Sequence, residues 1–321
     1  MINFLIEYVL LLPMKIVNYD EVDDTELTEL MLACFGHTYS KRHIENMVAS
    51  DRRMPEWGGE LYALNGDDLM GCVGILYPKV NIGDELITVG GIRNVCSRPS
   101  QSNKGVVKEL LRRAHEIMEE RVDISFLMTS GSNVAFNLYN KMDYRTIFLP
   151  PKVYKRIEGE TRKTDVELRD ESAPEYVRST YMDSLEGLKG FTYREKDFWE
   201  MAEARGWPDN DEIKIAYKGD KRIGYVMMDE GRNSLSIKEI AAKNSDLSEI
   251  LQELEHICPQ EFLVISHANP NYRAFFRESG YTWHDDLWYR VMIKDLKGGS
   301  EGYSKLFDKK DSFHAGLYEV Y

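Results

Sequence analysis

Closely spaced cysteines are missing from this sequence. Its 321 residues include four cysteines, none of them in a Cys-x-x-Cys pair, and its seven histidines show no metal-ligand spacing. This spacing excludes a zinc site built on thiolates, and we expect no metal ligands. Scattered, unpaired cysteines also favour a reducing compartment, so a cytoplasmic location is predicted.

A long apolar run is missing as well. The most hydrophobic stretch lies within residues 1–13, where Glu7 interrupts it and no basic segment precedes it. It is too short for a membrane-spanning helix and does not fit a signal peptide, so no membrane partner is expected. We expect residues 1–13 to be an N-terminal extension that packs on the surface, or to precede the true start.

Positive charge is scarce. Lys and Arg number 41 against 54 Asp and Glu, and the net charge is −13. Residues 1–156 carry a net charge of −3 and the remaining residues carry −10. Such a surface repels nucleic acid and concentrates cations, so no nucleic-acid partner is expected. The oligomeric state stays open.

One basic island stands out from this acidic background. A strand-like run over residues 86–95 is followed by a polar loop that contains Gly105 and then by an amphipathic helix. Five cations and a single acid fall within residues 98–113: Arg98, Lys104, Lys108, Arg112 and Arg113, with Glu109. Unpaired amides and the dipole at a helix N-terminus favour anions, which indicates a phosphate-bearing cofactor. The alternative is a solvated helix after an ordinary turn.

The loop resembles motif A of the GNAT superfamily of acyl-CoA N-acyltransferases, Pro-x-x-Arg-x-x-Gly-x-Gly/Ala-x-x-Leu-Leu. Pro99, Gly105 and the leucines at 110 and 111 match it in register. Ser102 replaces the usual Arg, and Val107 replaces the second small residue. The resemblance therefore leaves Lys104 to supply the positive charge beside the pyrophosphate.

The resemblance continues over residues 132–144, which are similar to the superfamily helix Asn-x-x-Ala-x-x-x-Tyr-x-x-x-Gly-Phe. Tyr139 takes the place of the tyrosine, Asp143 stands where the family has glycine, and Asn133 lies one residue late. The similarity covers about 130 residues in all.

The chain also repeats itself, which bears on its domain organisation. Two predicted hairpins match around Gly71 and Gly224, 153 residues apart, whereas Tyr144 and Tyr281 lie 137 apart. The second copy has thus lost 16 residues in the interval that contains the first copy's loop, and Phe276 occupies its tyrosine position. We interpret it as a degenerate copy that no longer binds cofactor. The alternative is two unrelated α/β domains that share a hairpin by chance.

These patterns predict an α/β (α+β) fold with two tandem GNAT-like domains, each a mixed, mostly antiparallel twisted sheet flanked by helices. The arrangement is similar to Eis-type acetyltransferases without their third domain. The predicted parts are listed in chain order: an extension (1–13), a catalytic, acyl-CoA-binding domain (14–157), a degenerate domain (158–296) and an aromatic-rich tail packed on the body (297–321).

The resemblance also implies site residues. The strand before the loop would hold the pantetheine arm, the loop amides from Asn103 to Val107 would face the pyrophosphate, and Tyr139 would protonate the departing CoA sulfur. The cofactor-binding residues predicted in this way are Val95, Cys96, Ser97, Ser102, Asn103, Lys104, Gly105, Val106 and Val107. Candidates for a general base are Glu60, Asp84, Glu85 and the carboxylate of Tyr321, and deprotonation through water needs none of them.

The implied function is an N-acetyltransferase that moves an acyl group from acetyl-CoA, or another acyl-CoA, to a primary amine by direct attack. The acidic C-terminal copy favours a cationic amine, either a small molecule or a peptide. The alternative is a non-catalytic acyl-CoA-binding or interaction protein, in which Ser102 and Asp143 mark the decay of the first copy as well.

Overall fold

The chain divides into two compact units in a computed structural model that describes residues 14–83, 85–204, 213–231, 233–285, 288–307 and 312–316. The first unit runs to Leu76 and resumes over Ile92–Glu120, and the second comprises Tyr77–Gly91 and Arg121–Tyr321. The predicted extension at residues 1–13 lies outside the described residues. The same is true of two base candidates, Asp84 and the carboxylate of Tyr321.

Helices flank mixed, mostly antiparallel sheets, which confirms the predicted fold class. The strands are β1 (Lys15–Asn18), β2 (Glu60–Asn65), β3 (Asp68–Leu76), β4 (Lys79–Asn81), β5 (Leu86–Thr88), β6 (Gly90–Ser97), β7 (Ile124–Ser130), β8 (Arg145–Phe148), β9 (Pro151–Arg156), β10 (Val166–Asp170), β11 (Ile213–Lys218), β12 (Lys221–Glu230), β13 (Ser234–Ala242), β14 (Phe262–Ile265), β15 (Thr282–Asp285) and β16 (Tyr289–Asp295). The helices are α1 (Asp24–Phe35), α2 (Lys41–Ser50), α3 (Val106–Glu119), α4 (Val134–Lys141), α5 (Pro174–Ser184), α6 (Phe198–Ala204), α7 (Asn244–Ile257), α8 (Arg273–Glu278) and α9 (Glu301–Phe307). None of the described helices has the length and apolar character that crossing a membrane requires.

The first unit is a sheet in the order β1-β2-β3-β6, with helices on both faces. On β3, Cys72 joins a core that contains Leu27 and Leu30 of α1. Its neighbour Gly71 faces the side chain of Val106 on α3. Because successive strand residues point to opposite faces, α1 and α3 cover opposite sides of the sheet.

Helix α3 forms where the amphipathic pattern predicts it. Its buried side chains recur every three or four residues, which places them on one face of a helix. They are Val106, Leu110, Leu111, Ala114, His115, Ile117 and Met118. Burial of this face against the sheet fixes the position of the helix N-terminus, and hence of the polar loop that precedes it.

The second unit contains a seven-stranded sheet in the order β10-β11-β12-β13-β14-β9-β15. Strands β13 and β14 run parallel, and the other neighbouring strands are antiparallel. A three-stranded array, β7-β16-β8, and the small hairpin of β4 and β5 belong to the same unit. The described tail packs here too, because Phe313 is fully buried beside Phe126 and Phe148.

The two copies exchange their last strands within this unit. Strand β16, from the end of the second copy, lies between β7 and β8 of the first copy. Strand β9, from the end of the first copy, lies between β14 and β15 of the second. Strand pairing therefore crosses the boundary expected near residue 157, and the predicted domain limits remain a prediction.

Candidate functional site

Strand β6 is interrupted by Asn94, whose φ of +49° places it in the left-handed region. The Asn94 carbonyl accepts a hydrogen bond from Cys72 Sγ at 3.1 Å, and its Nδ2 donates to Glu60 Oε1 at 3.3 Å. Left-handed asparagine is costly in a strand and persists where its surroundings hold it. The irregularity lies immediately before Val95–Ser97, the segment predicted to hold the acyl arm.

Glu60 is a buried member of an ion pair, with 1% of its surface exposed. Its Oε1 accepts hydrogen bonds from Arg93 Nη2 and from the hydroxyl of Tyr39 at 3.4 Å, in addition to the Asn94 amide. A Cβ on Gly74, which pairs with Glu60 across β2 and β3, would collide with the Arg93 side chain. Burial opposes the charge of Arg93, but the nearby Glu60 carboxylate outweighs it and raises the pKa of the guanidinium.

This arrangement bears on the predicted base role of Glu60. The Glu60 carboxylate already accepts a hydrogen bond from the Arg93 guanidinium. To accept a proton from an amine as well, it would have to weaken that ion pair. Glu85, another candidate, is exposed and pairs with Lys305 at 2.7 Å within the second unit. Of these two carboxylates, Glu60 alone adjoins the predicted acyl-arm strand.

The three predicted arm residues differ in what their side chains do. Val95 and Ser97 are half-buried, whereas Cys96 is buried and joins the core beneath α1. The Ser97 carbonyl accepts from Cys34 Sγ at 3.5 Å, and the next amide, that of Arg98, donates to Met70 of β3 at 2.8 Å. The end of β6 is thus tied to both α1 and β3.

The loop between β6 and α3 contains two left-handed residues. A short 3-10 helix, Pro99–Gln101, is followed by Asn103 with φ +63° and Gly105 with φ +84°. The Ser102 amide donates to Pro99 at 3.2 Å and the Lys104 amide donates to Gln101 at 3.3 Å, so the turn itself uses these two groups.

Other amides of the loop are available to a ligand. Within the described residues, the backbone amides that have no hydrogen-bond acceptor here are those of Asn103, Gly105, Val106, Val107 and Lys108. A Cβ on Gly105 would meet no protein atom within 4 Å, so the space beside the loop is open. Four of the five amides predicted to face a pyrophosphate are therefore unused by the protein.

The basic island is only partly free. Arg98 pairs with Glu26 at 2.9 Å, and Arg112 and Arg113 both pair with Glu116. Lys104 and Lys108 form no ion pair among the residues that the structure describes. The uncompensated positive charge thus lies at the loop and in the first turn of α3, where Lys104 was predicted to act.

Tyr139 lies in the second unit, on α4, and is 5% exposed. Its ring meets that of Tyr144 edge to face, with centroids 5.9 Å apart, and burial raises the pKa of its hydroxyl. The Tyr144 hydroxyl is bonded to Ser125 at 2.6 Å, whereas that of Tyr139 has no such bond within the described part of the chain. The phenol is therefore kept protonated and is available as a donor.

The second copy lacks this loop. Strand β13 runs into α7 through Lys243 alone, and the hydroxyl of Tyr272 bonds both the amide and the carbonyl of Ala242, the last strand residue. A cavity of about 610 Å³ opens at this junction, and its lining includes both acids and cations: Asp183, Glu186, Asp246, Lys221, Arg222 and Lys243.

Sequence reasoning missed Tyr39, Arg93 and Asn94. Two signals were available: an adjacent Arg and Asn within an otherwise apolar strand, and a Thr-Tyr pair at residues 38–39 that recurs at 192–193. The structure brings these three residues together around Glu60.

A family model described as the acetyltransferase (GNAT) domain matches residues 15–147. Residues 15–147 are thus similar to the acetyltransferase domain of the GNAT superfamily. Several solved structures share the fold of this chain at low sequence identity. A GNAT protein from Anabaena variabilis superposes with a TM-score of 0.64 at 15% identity, over 88% of this chain and 73% of that one. No curated protein matches the sequence.

Two other GNAT-like structures bear on the tandem arrangement. A proposed acetyltransferase from Pyrococcus horikoshii is 15% identical, with a TM-score of 0.53 over 96% of both chains. Eis1 from Mycobacterium abscessus is 14% identical, with a TM-score of 0.51 over 78% of this chain and 70% of its own. At these identities the similarity shows the fold. The two large sheets fit a tandem arrangement of two GNAT-like domains.

Proposed function

We propose that the chain is an N-acetyltransferase in which the first copy moves an acetyl group, or another acyl group, from CoA to a primary amine. The observation that carries the proposal is the loop before α3. There, two residues are left-handed, several backbone amides have no acceptor among the described residues, and Lys104 and Lys108 form no ion pair with them. Unused amides and positive charge at a helix N-terminus fit a pyrophosphate.

The steps of acyl transfer are assigned to separate groups of residues. The loop amides and Lys104 would bind the pyrophosphate, and the backbone of Val95–Ser97, shaped by Asn94, would pair with the acyl arm. Acetyl-CoA would supply the activated acyl group as a thioester. The buried phenol of Tyr139 would give its proton to the departing sulfur, and its raised pKa keeps that proton in place at neutral pH.

For Glu60 we propose two separable roles. In the first, its carboxylate holds Asn94 and Arg93 and so shapes the arm-binding strand. In the second, predicted from sequence, it accepts a proton from the amine. The hydrogen bonds to Arg93 and Asn94 support the first. The acidic balance of the C-terminal half supports a cationic amine as the acceptor.

The site is tested by acetyl-CoA titration of Gly105→Asn against a matched variant, Gly66→Asn. Both glycines are left-handed, with φ of +84° and +63°, and a Cβ on either would meet no protein atom within 4 Å. The backbone strain is therefore similar, and asparagine tolerates it better than most residues. In Gly105→Asn, the added side chain should block the approach of the pyrophosphate to the loop amides. Because hydrogen bonds to a charged group are then lost, this variant should bind acetyl-CoA more than about tenfold more weakly than the parent.

Gly66→Asn should bind acetyl-CoA as the parent does, because it lies in the β2–β3 turn. Equal affinities in the two variants would place the cofactor elsewhere. Activity is measured by thiol release from acetyl-CoA across a panel of polyamines, aminoglycosides, small amines and peptides. Tight binding without turnover on any amine would favour the acyl-CoA-binding protein over the enzyme.

A further inference from the structure

Three of the four cysteines converge beside the predicted arm-binding strand. Cys72 Sγ on β3 lies 3.5 Å from Cys96 Sγ on β6. The Cys34 thiol, on α1, donates to the carbonyl of Ser97, the residue after Cys96, at 3.5 Å. Cys258 lies in the second unit, where its thiol donates to the Gln260 carbonyl at 3.4 Å. All four thiols are free.

For the cluster of Cys34, Cys72 and Cys96 we consider the chemistry of thiols. Among the described residues, no group of three or more His, Cys, Asp or Glu side chains could hold a metal ion. Cys72 and Cys96 are buried on neighbouring strands, whereas Cys34 is half-buried at the edge of the group. Two sulfurs 3.5 Å apart need small side-chain rotations to reach the bond length of a disulfide, about 2 Å.

The three thiols differ in reactivity. The hydrogen-bonding contact with the Cys72 sulfur lowers the pKa of Cys96, although burial opposes this effect. The same contact, together with burial, raises the pKa of Cys72, and burial raises that of Cys34 to about 12. Because the thiolate is the nucleophile, this order of pKa values favours Cys96 as the attacking sulfur.

We propose that Cys96 and Cys72 form a reversible disulfide when the protein meets hydrogen peroxide, and that this bond weakens acyl-CoA binding at β6. The effect on acyl-CoA binding rests on the proposed function, whereas the formation of the disulfide does not.

The chemistry balances in two steps. The Cys96 thiolate attacks one oxygen of the peroxide, the O–O bond breaks, and the departing hydroxide is protonated to water, which leaves Cys96 as a sulfenic acid. The Cys72 sulfur then attacks the Cys96 sulfur. The S–O bond breaks, and the proton of Cys72 leaves with the hydroxyl as a second water. Two thiols lose two electrons in total, and a dithiol reductant restores them.

The disulfide would alter the strand through Asn94. In the reduced protein, the Cys72 thiol donates to the carbonyl of Asn94, which is held at a φ of +49°. Oxidation removes that proton, and the Asn94 carbonyl loses its donor. The irregularity that precedes Val95–Ser97 then loses one of the contacts that hold it, so the backbone of the arm-binding segment shifts.

The test compares full-length protein treated with hydrogen peroxide and with dithiothreitol. Peptide mapping without reduction should yield a cross-linked pair that contains Cys72 and Cys96. Acetyl-CoA affinity, measured by calorimetry, should fall by about tenfold on oxidation, within the range of coupling between linked sites, and recover on reduction. Cys258→Ala should behave as the parent. Cys34→Ala should still form the cross-link, and Cys72→Ala should lose the response to peroxide.

Failure to form the cross-link, or a Cys34–Cys96 pair in its place, would overturn the assignment of the disulfide. A Cys72–Cys96 bond with unchanged acetyl-CoA affinity would overturn the effect on binding. If the reduced protein binds no acetyl-CoA, the proposed function is wrong, and the peptide map still decides whether the disulfide forms.

Discussion

The two copies differ most where a strand passes into a helix. In the first copy, eight residues separate β6 from α3, and two of them are left-handed. In the second, Lys243 alone separates β13 from α7. The first junction leaves amides unused, whereas the second covers its strand end with the hydroxyl of Tyr272. A GNAT-like sheet can therefore persist without an anion-binding loop.

The shortening of the second copy falls in two places. Part of it is the loop before α7, and the other part lies between β12 and β13, where three residues replace the segment that contains β4 and β5. Neither loss removes a strand of the two seven-stranded sheets. Both copies retain the same local geometry at the final helix, since Tyr144 donates to the Tyr139 carbonyl as Tyr281 does to Phe276.

Each copy also buries an arginine–glutamate pair. Arg93 and Glu60 form one, and Arg194 and Glu239 form the other, whose carboxylate also accepts from the Tyr225 hydroxyl at 2.5 Å. Both partners of the first pair lie on strands, Glu60 on β2 and Arg93 on β6, whereas only Glu239 of the second pair does, on β13. If both pairs only support the fold, they should respond alike to mutation. If the first also shapes a cofactor site, they should differ.

The largest expected effect comes from removing these buried charges, with Glu60→Gln compared to Glu239→Gln. Each leaves a buried guanidinium without its counter-ion, which costs about 3–5 kcal/mol of unfolding free energy. Chemical denaturation should show similar losses in the two variants. Acetyl-CoA affinity should fall in Glu60→Gln alone, because Asn94 loses a charged acceptor.

The base role predicted for Glu60 has a different signature. Loss of a base lowers kcat at unchanged KM for acetyl-CoA and removes the acidic limb of the pH–rate profile. Loss of a positioning residue raises the KM for acetyl-CoA and leaves the pH profile in place. If Glu239→Gln weakens acetyl-CoA binding as much as Glu60→Gln does, the difference between the two pairs disappears.

The tyrosine of the final helix gives the next largest effect. Tyr139→Phe reproduces the residue that the second copy carries at 276, keeps the ring contact with Tyr144 and removes the hydroxyl alone. The rate should fall by roughly 10²-fold, the scale of a positioned proton donor, with acetyl-CoA affinity unchanged. Because burial raises the pKa of Tyr139, the parent rate should show no alkaline loss from this group near neutral pH.

The control is Tyr144→Phe, which removes a hydroxyl that is bonded to Ser125 at 2.6 Å. That variant should lose stability, about 1 kcal/mol, and keep its rate per folded molecule. Normal turnover in Tyr139→Phe would make Tyr139 a core residue and leave protonation of the sulfur to water.

Sequence patterns were sufficient for the helices and the loop. The amphipathic spacing of α3 and the glycine at 105 predict a helix that follows a glycine-containing loop, and the structure has both. The repeat was also visible, because hairpins and helix ends are local features whose residues lie close together in the chain. Cofactor binding by the loop and the role of Tyr139 remain predictions.

Long-range pairing was not accessible in the same way. Strands β9 and β16 are short, and nothing in their residues decides whether each returns to its own copy or crosses to the other. The cluster around Glu60 combines residues from β2, β6 and the segment before α2, and it forms only when the sheet is assembled. Such contacts depend on tertiary packing, which residue spacing does not report.

A smaller effect is expected at the loop charge. Lys104→Glu should weaken acetyl-CoA binding about fivefold at low salt, roughly 1 kcal/mol, and the loss should shrink as salt rises because the site is exposed. Lys243→Glu places the same charge reversal at the junction of the second copy and should leave affinity unchanged. Calorimetry at two salt concentrations makes the comparison. Equal affinity for Lys104→Glu and parent at low salt would exclude this role.

The smallest effect tests how far the first copy has departed from its family. Asp143 stands where the second copy has Gly280, and both are left-handed, with φ of +67° and +81°. Each donates its amide to the carbonyl three residues earlier, so Asp143 keeps the glycine geometry at some cost in strain. Asp143→Gly should therefore raise the free energy of unfolding by about 0.5–1 kcal/mol, and Gly280→Asp should lower it by about 1 kcal/mol.

Thermal and urea melts measure both. A Cβ on Gly280 would meet no atom within 4 Å, so a loss there reports backbone strain alone. Should Asp143→Gly be the less stable protein, the 3.8 Å contact of Asp143 with Lys294 outweighs the strain, and the aspartate supports the fold.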